Sequence, residues 1–156
     1  MKKTIAFALL AALLLSLTAC GAGGGLIAPL LAFCRVEVQS GIESVLSASD
    51  FDTALTGADA VITGEGRVDG QSCYGKAISG VATHAKAQGV PVFVAAGSLG
   101  DGWEELRTVG VTDAFSLIGE VSHLPDGERL AFCIANAASL LERLGERIAR
   151  EILSDC

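Results

Sequence analysis

Residues 59–77 read DAVITGEGRVDGQSCYGKA, and this stretch carries the strongest indication of the fold. Its first five residues form a short apolar and β-branched run, which is typical of a buried strand. Residues 63–77 then carry four glycines, two acids and two bases. We expect these residues to form a glycine-rich loop that leaves the carboxyl end of the strand and enters a helix.

The chain repeats this arrangement further along. Residues 92–96 predict a second apolar strand, and the glycine-rich segment GSLGDG follows it at residues 97–102. We predict helices at residues 75–88, 103–109 and 128–153, and a third strand at residues 113–118. Short apolar strands separated by helices are typical of an α/β protein with a parallel, Rossmann-like sheet and right-handed β-α crossovers. The last predicted helix has an apolar stripe at helical spacing, formed by Leu130, Ile134, Ala137, Leu141, Leu144, Ile148 and Ile152.

The composition excludes several classes of function. The chain has 156 residues and a net charge of -7, and its few bases are scattered, so a nucleic acid is not expected as a partner. Its five cysteines include no C-x-x-C pair, which argues against a zinc site or a disulfide framework. Cys34 and Cys133 lie among apolar residues and are predicted to be buried. His84 and His123 have no acid or nucleophile beside them in the sequence and are predicted to be surface residues.

The first twenty residues are typical of an export signal. Lys2 and Lys3 precede an apolar run over residues 5–17, which is short for a membrane span. The next residues, Leu-Thr-Ala-Cys at 17–20, resemble the lipidation motif of a bacterial lipoprotein. We therefore expect a signal-like segment over residues 1–19 and a domain over residues 20–156, with Cys20 as a candidate lipid anchor to a membrane. A buried N-terminal helix is the alternative.

Both glycine-rich segments are expected at the carboxyl edge of the sheet, where helix N-termini favour anions. Two known phosphate-binding patterns nearly match the first segment. The pattern G-x-G-x-x-G fails because position 69 is Asp69. The pattern G-x-x-x-x-G-K-[ST] matches Gly70, Gly75 and Lys76, but Ala77 replaces the hydroxyl residue that would bind magnesium.

The charged residues of these segments allow a second interpretation. Glu65, Asp69 and Asp101 could converge at one sheet edge and hold Mg²⁺, which shares its coordination with phosphate oxygens. Arg67 and Lys76 could then neutralise phosphate charge. In the purely structural alternative, Glu65 and Arg67 form a surface ion pair, and Asp69 and Asp101 cap helices.

The segment DAVITGEGRVDGQSCYGKAISGVATHAKAQGVPVFVAAGSLGD resembles the C-terminal part of bacterial type-1 glycerate kinases. The motif GEGRVDGQS is the most specific part of this similarity. The stretches GAGGGLIAPLLAF and GIESVL also resemble family segments, so that the similarity extends from residue 21 to about residue 153. The family's N-terminal portion has no counterpart in this chain, and the fold is expected to be partial relative to the full family fold.

The resemblance implies an ATP- and Mg²⁺-dependent enzyme that phosphorylates D-glycerate in a cleft between two domains, in the cytoplasm. It implies catalytic roles for Glu65, Arg67, Asp69 and Lys76, with Glu65 and Asp69 as candidate Mg²⁺ ligands. It implies binding of substrate or nucleotide by Gly64, Gly66, Gln71, Gly97, Ser98 and Asp101. Impaired activity is expected for this fragment, and an exported, lipid-anchored module that binds a small anion is the alternative.

Overall fold

The computed structural model describes residues 33–35, 40–73 and 77–154. The chain divides between Gln39 and Ser40, and the strands and helices named below belong to the second unit, Ser40–Cys156. The predicted signal-like segment, Cys20 and Lys76 lie outside the described residues. Cys34 is described and is exposed, so the prediction that it is buried is wrong.

Helices and parallel strands alternate along the second unit. The strands are β1 (Val61–Val68), β2 (Val92–Leu99) and β3 (Val111–Ser116). The helices are α1 (Gly41–Ala48), α2 (Phe51–Ala54), α3 (Ala77–Ala87), α4 (Leu106–Val109), α5 (Leu117–Glu120), α6 (Asp126–Ala135) and α7 (Ala137–Ser154), with 3₁₀ turns at Gly70–Cys73 and Trp103–Glu105. The strands form one sheet in the order β1-β2-β3, and both neighbouring pairs are parallel. The predicted α/β fold with a parallel sheet is confirmed.

The first two strands are longer than predicted. The parallel ladder continues through the pairs Gly64↔Ala95, Glu65↔Ala96 and Arg67↔Ser98, so the motif GEGRV belongs to β1 and not to a loop. The glycines permit this close pairing. A Cβ atom on Gly64 would lie 2.6 Å from the carbonyl oxygen of Ala95, which leaves no room for a side chain. The predicted loop therefore begins only after Val68.

One face of the sheet packs against α3 and α4. Its core contains Val92, Val94 and Ala96 of β2 together with Ile78 and Ala82 of α3. Val68 at the end of β1 is also fully buried in this layer. Burial of such side chains stabilises the fold by roughly 1.5–3 kcal/mol each. This packing holds the end of β1 firmly against the start of the crossover to α3.

The opposite face packs against α5, α6 and α7, and in this layer the predicted single C-terminal helix is wrong. The chain breaks at Asn136 into α6 and α7, which changes the phase of the buried stripe. Leu140, Leu144 and Ile148 are buried, whereas Leu141 is 50% exposed. Cys133 is buried in this layer, as predicted.

The third strand begins earlier than predicted, and it ends earlier because residues 117–120 form a helical turn. The hydroxyl of Ser116 accepts a hydrogen bond of 3.1 Å from the N–H of Gly119, which caps this turn and ends β3. The predicted helix at residues 103–109 is present as a 3₁₀ turn followed by α4, and the helix predicted at residues 75–88 is described over Ala77–Ala87.

Candidate functional site

The end of β1 and the segment behind it form one side of a polar groove of about 460 Å³. Successive residues of a strand point to opposite faces, so Glu65 and Arg67 share one face of β1, and Asp69 follows directly after the strand. Sequence-predicted and newly found residues line the groove together: Arg67, Asp69, Gly70, Gln71, Asp101 and Glu105. Four predicted site residues, Arg67, Asp69, Gln71 and Asp101, are therefore brought together by the fold.

Asp69 is held by two donors from its own segment. Its Oδ1 accepts a 3.0 Å hydrogen bond from the backbone N–H of Gln71, and its Oδ2 lies 3.4 Å from Nε of Arg67. The carboxylate thus caps the 3₁₀ turn at Gly70–Cys73, as the structural alternative expected, and it still lines the groove. Arg67 pairs with Asp69 and not with Glu65, so the ion pair expected in that alternative is wrong. The guanidinium side chain remains 67% exposed.

Ser72 forms hydrogen bonds to both Glu65 and Asp69. It is fully buried, and its hydroxyl lies 3.5 Å from Oε2 of Glu65, to which it donates. The same hydroxyl accepts from the backbone N–H of Asp69 at 3.4 Å. Sequence reasoning missed Ser72, although a serine three residues after an aspartate is a common signal for such a local turn.

Backbone hydrogen bonds join the two glycine-rich segments. The N–H of Gly70 donates to the carbonyl oxygen of Asp101 at 3.1 Å, and the N–H of Gly100 donates to that of Val68 at 2.7 Å. A Cβ atom on Gly100 would lie 2.8 Å from Nη2 of Arg67, so glycine at this position makes room for the guanidinium. Gly102, with φ of 76°, occupies the N-cap position of the next 3₁₀ turn, so the predicted capping role of Asp101 is wrong.

Glu105 is a groove residue that sequence reasoning missed. It lies in the 3₁₀ turn Trp103–Glu105, and the sequence offered no way to choose between it and Glu104. Its charge adds to the effect of burial in raising the pKa of the Cys73 thiol, burial being the larger cause. The raised pKa favours the protonated thiol, which is a weaker nucleophile than the thiolate.

Three further predicted residues border a pocket on the other face of the sheet. Gly66, Gly97 and Ser98 border an apolar pocket of about 400 Å³, whose opposite wall includes Leu117 and Ile134. Gly64 lies further back in the ladder against Ala95. The predicted site is therefore divided between a polar groove and an apolar pocket at the same end of β1 and β2.

The groove is suited to a cation that is shared with a ligand. In residues 33–35, 40–73 and 77–154, no group of three or more His, Cys, Asp and Glu side chains is placed to hold a metal ion. Mg²⁺ is commonly bound through one or two carboxylates together with phosphate oxygens and waters. Asp69 and Asp101 in the groove meet that requirement. The described residues do not offer enough ligands for a metal site built from protein side chains alone.

His84 is not the isolated surface residue that the sequence predicted. Its Nδ1 lies 2.7 Å from Oδ1 of Asp52, and its Nε2 lies 3.0 Å from Oε2 of Glu43. The hydrogen bond to Asp52, followed by that to Glu43, raises the pKa of the imidazole above its usual value. Both ring nitrogens can donate only in the protonated imidazolium, which therefore connects α3 to α1 and α2.

The sequence model of the glycerate kinase family matches residues 3–153. The chain belongs to the glycerate kinase family. A glycerate kinase of Halalkalibacterium halodurans is 43% identical over 134 residues, which cover 86% of this chain and 34% of that protein. A glycerate 2-kinase of Escherichia coli is 40% identical over 112 residues, which cover 72% of this chain and 29% of that protein.

This glycerate kinase family member therefore spans about a third of the length of the relatives it matches. A solved structure from Salmonella typhimurium LT2, described as a glycerate kinase 2, has 43% sequence identity and a TM-score of 0.44. It covers 62% of this chain and 23% of that chain. Among the described helices, none has the length and hydropathy required to cross a membrane.

Proposed function

We propose that this chain forms part of an enzyme that transfers a phosphoryl group from ATP to D-glycerate. The observation that carries the proposal is the polar groove at the carboxyl edge of the parallel sheet, in a chain of the glycerate kinase family. Ligands of open α/β sheets bind at this edge. Arg67 supplies positive charge for the phosphates of ATP or the carboxylate of glycerate, and Gln71 supplies an amide. Asp69 and Asp101 supply carboxylates that can hold Mg²⁺ between the protein and the phosphates.

Each groove residue has a role that follows from its contacts. Arg67 presents an exposed planar guanidinium, which suits a phosphate or the carboxylate of glycerate through paired hydrogen bonds. Asp69 is held in one orientation by Arg67 and by the N–H of Gln71. We assign Asp69 and Glu65 to Mg²⁺ or to the glycerate hydroxyl, with Asp101 as a further carboxylate of the groove. Lys76 is assigned to phosphate by its place in the family motif.

Phosphoryl transfer depends mainly on positioning and on stabilisation of charge. When bound, Mg²⁺ would neutralise the negative charge of the phosphate oxygens. The residues of this chain would orient the glycerate hydroxyl toward the transferred group, and the guanidinium of Arg67 would stabilise the negative charge that develops on it. The 3₁₀ turn at Gly70–Cys73 keeps the carboxylate of Asp69 at the groove without further rearrangement.

The chain covers about a third of its relatives, and we expect this to limit turnover more than binding. The polar groove is open, and a closed cleft would require residues beyond those that line it. We therefore propose measurable ligand binding with low kinase activity for this chain alone. A cytoplasmic location, where ATP is available, belongs to the same proposal.

The proposal is tested by ligand-induced stabilisation of the full chain. A ligand that binds the native state raises the midpoint of thermal unfolding by mass action. The emission of Trp103, the only tryptophan, would be followed with and without Mg²⁺-ATP and D-glycerate. A coupled assay would measure ADP formation in parallel.

Asp69→Asn is expected to weaken Mg²⁺-ATP or glycerate binding by about tenfold with a small change in the unligated midpoint. Asp59→Asn is the matched control, because Asp59 is exposed and precedes β1 at the opposite end of the strand. Equal loss of affinity in both variants, or no ligand response in the unmodified chain, would contradict the proposed function.

The N-terminal segment has two proposed interpretations. The family match begins at residue 3, which favours residues 3–19 as part of the family domain. The signal-like pattern instead favours a domain over residues 20–156, with a lipid anchor at Cys20 and binding of a small anion without catalysis. Intact mass distinguishes them, because lipidation at Cys20 removes the preceding residues and adds acyl chains. An unprocessed Met1 would contradict the lipid-anchored alternative.

A further inference from the structure

The apolar pocket is bordered by a glycine, Gly66, that packing among the described residues does not require. Three glycines of the ladder can be compared. Gly64 and Gly97 are required by close approach, since a Cβ atom on them would lie 2.6 Å from the carbonyl oxygen of Ala95 and 2.5 Å from that of Gly66. A Cβ atom on Gly66 would meet no atom of the described residues within 4 Å, and Gly66 has no positive φ angle.

Glycine is unfavourable in a strand unless a ligand or another backbone must come close. Packing against the rest of the described structure is not the reason at Gly66, because the space over it is open. That space is the apolar pocket, which Gly66 borders together with Gly97 and Ser98. We therefore take the missing side chain at Gly66 to keep room for a ligand.

The walls of the pocket indicate the kind of ligand. Leu117 and Ile118 lie on one side, and Leu130 and Ile134 of α6 lie on another, being 63% and 71% exposed. Of the described residues that border the pocket, Ser98 is the one whose side chain contains an oxygen or nitrogen atom. A volume of about 400 Å³ falls within the range of roughly 300–1,000 Å³ that is usual for small-molecule sites. The ligand part that fits this lining is neutral and largely apolar.

The neighbouring residues connect this pocket to the polar groove. Gly66 faces the pocket, and Arg67, the next residue of β1, lines the groove on the opposite face. A ligand with an apolar ring and an anionic tail can therefore lie across the end of β1. Resting on the proposed function, we infer that this pocket binds the purine ring of the nucleotide, with its phosphates directed over the strand end to Arg67.

Adenosine is the probe, because it lacks phosphates and reports on the pocket alone. Its dissociation constant would be measured by calorimetry on the full chain, with methyl NMR of Ile118 and Ile134 to locate the contact. We expect saturable binding with shifts of both methyl groups. Gly66→Val should weaken adenosine binding by about tenfold or more, because its side chain occupies the ring's space. Its thermal midpoint should not fall, since valine is favoured in strands.

Gly145→Val is the matched control, because Gly145 lies in α7 and a Cβ atom on it also meets no described residue within 4 Å. It should bind adenosine as the unmodified chain does. Absent adenosine binding in the unmodified chain, or equal affinity in Gly66→Val, would overturn the purine site. A dimer that Gly66→Val dissociates, without adenosine binding, would also overturn it and identify the pocket as a protein interface.

The test separates this inference from the proposed function. Inorganic Mg²⁺-tripolyphosphate probes the groove without a purine. Binding of tripolyphosphate that depends on Asp69, without binding of adenosine, would keep the kinase proposal and overturn the purine pocket. Binding of adenosine that depends on Gly66, without binding of tripolyphosphate or ADP formation, would support the pocket and contradict the kinase proposal.

Discussion

Replacement of Gly97 by alanine should destabilise the sheet, although the change adds only one methyl group. A Cβ atom at this position would lie 2.5 Å from the carbonyl oxygen of Gly66 and 3.4 Å from its carbonyl carbon. Both are backbone atoms of β1, and the pairs Glu65↔Ala96 and Arg67↔Ser98 hold the two strands together on either side. The methyl group can be accommodated only if the strands separate locally.

The magnitude follows from two opposing effects. Added volume in a packed region costs about 1–3 kcal/mol. Alanine is favoured over glycine in a strand by roughly 0.5–1 kcal/mol. We expect a net loss of about 1–2 kcal/mol in the free energy of unfolding of Gly97→Ala.

Urea unfolding followed by Trp103 emission measures this change. Trp103 packs against the core layer that contains β2, so its emission reports on the sheet. Gly66→Ala is the matched control, because a Cβ atom on Gly66 meets nothing within 4 Å in the part of the chain that the structure describes. It should be as stable as the unmodified chain or more stable. The reasoning would be refuted if Gly97→Ala unfolded at the same urea concentration as the unmodified chain with an unchanged slope.

Two further predictions concern packing and charge in the same unit. Leu144→Ala should lower the free energy of unfolding by roughly 2–5 kcal/mol, because Leu144 is fully buried. Leu141→Ala should lower it by less than about 1 kcal/mol, because Leu141 is half exposed. Equal losses in urea unfolding would contradict the observed phase of α7. His84→Gln should destabilise the chain at low pH more than at high pH. The folded-state pKa of His84 is raised above 6.5 by Asp52 and Glu43, so its stabilising effect is complete below pH 6.5 and is lost as pH rises through the folded-state pKa. Unfolding curves of both chains across this range test the sign, and a difference that grows with pH would exclude the proposed ion pairs.

The parallel α/β class and most elements follow from the sequence alone. Short apolar runs such as Val92–Ala96 are typical of buried strands, and the helices repeat their apolar residues at helical spacing. These local patterns are sufficient to predict the type of each element. The residues Arg67, Asp69, Gln71 and Asp101 were also predictable as one group. They lie at the ends of two strands, and these carboxyl ends must meet when the strands run parallel.

The tertiary structure decided everything that depends on a partner distant in sequence. The ladder with β2 kept GEGRV in a strand, and this divided the predicted site between two faces, with Gly66 on one and Arg67 on the other. His84 gained two carboxylates that lie 32 and 41 residues away. The local sequence gives the charge, size and hydrogen-bonding groups of each residue. The free energy of a contact also depends on which atoms the fold brings within a few ångströms. Those atoms come from segments whose approach only the packed sheet determines.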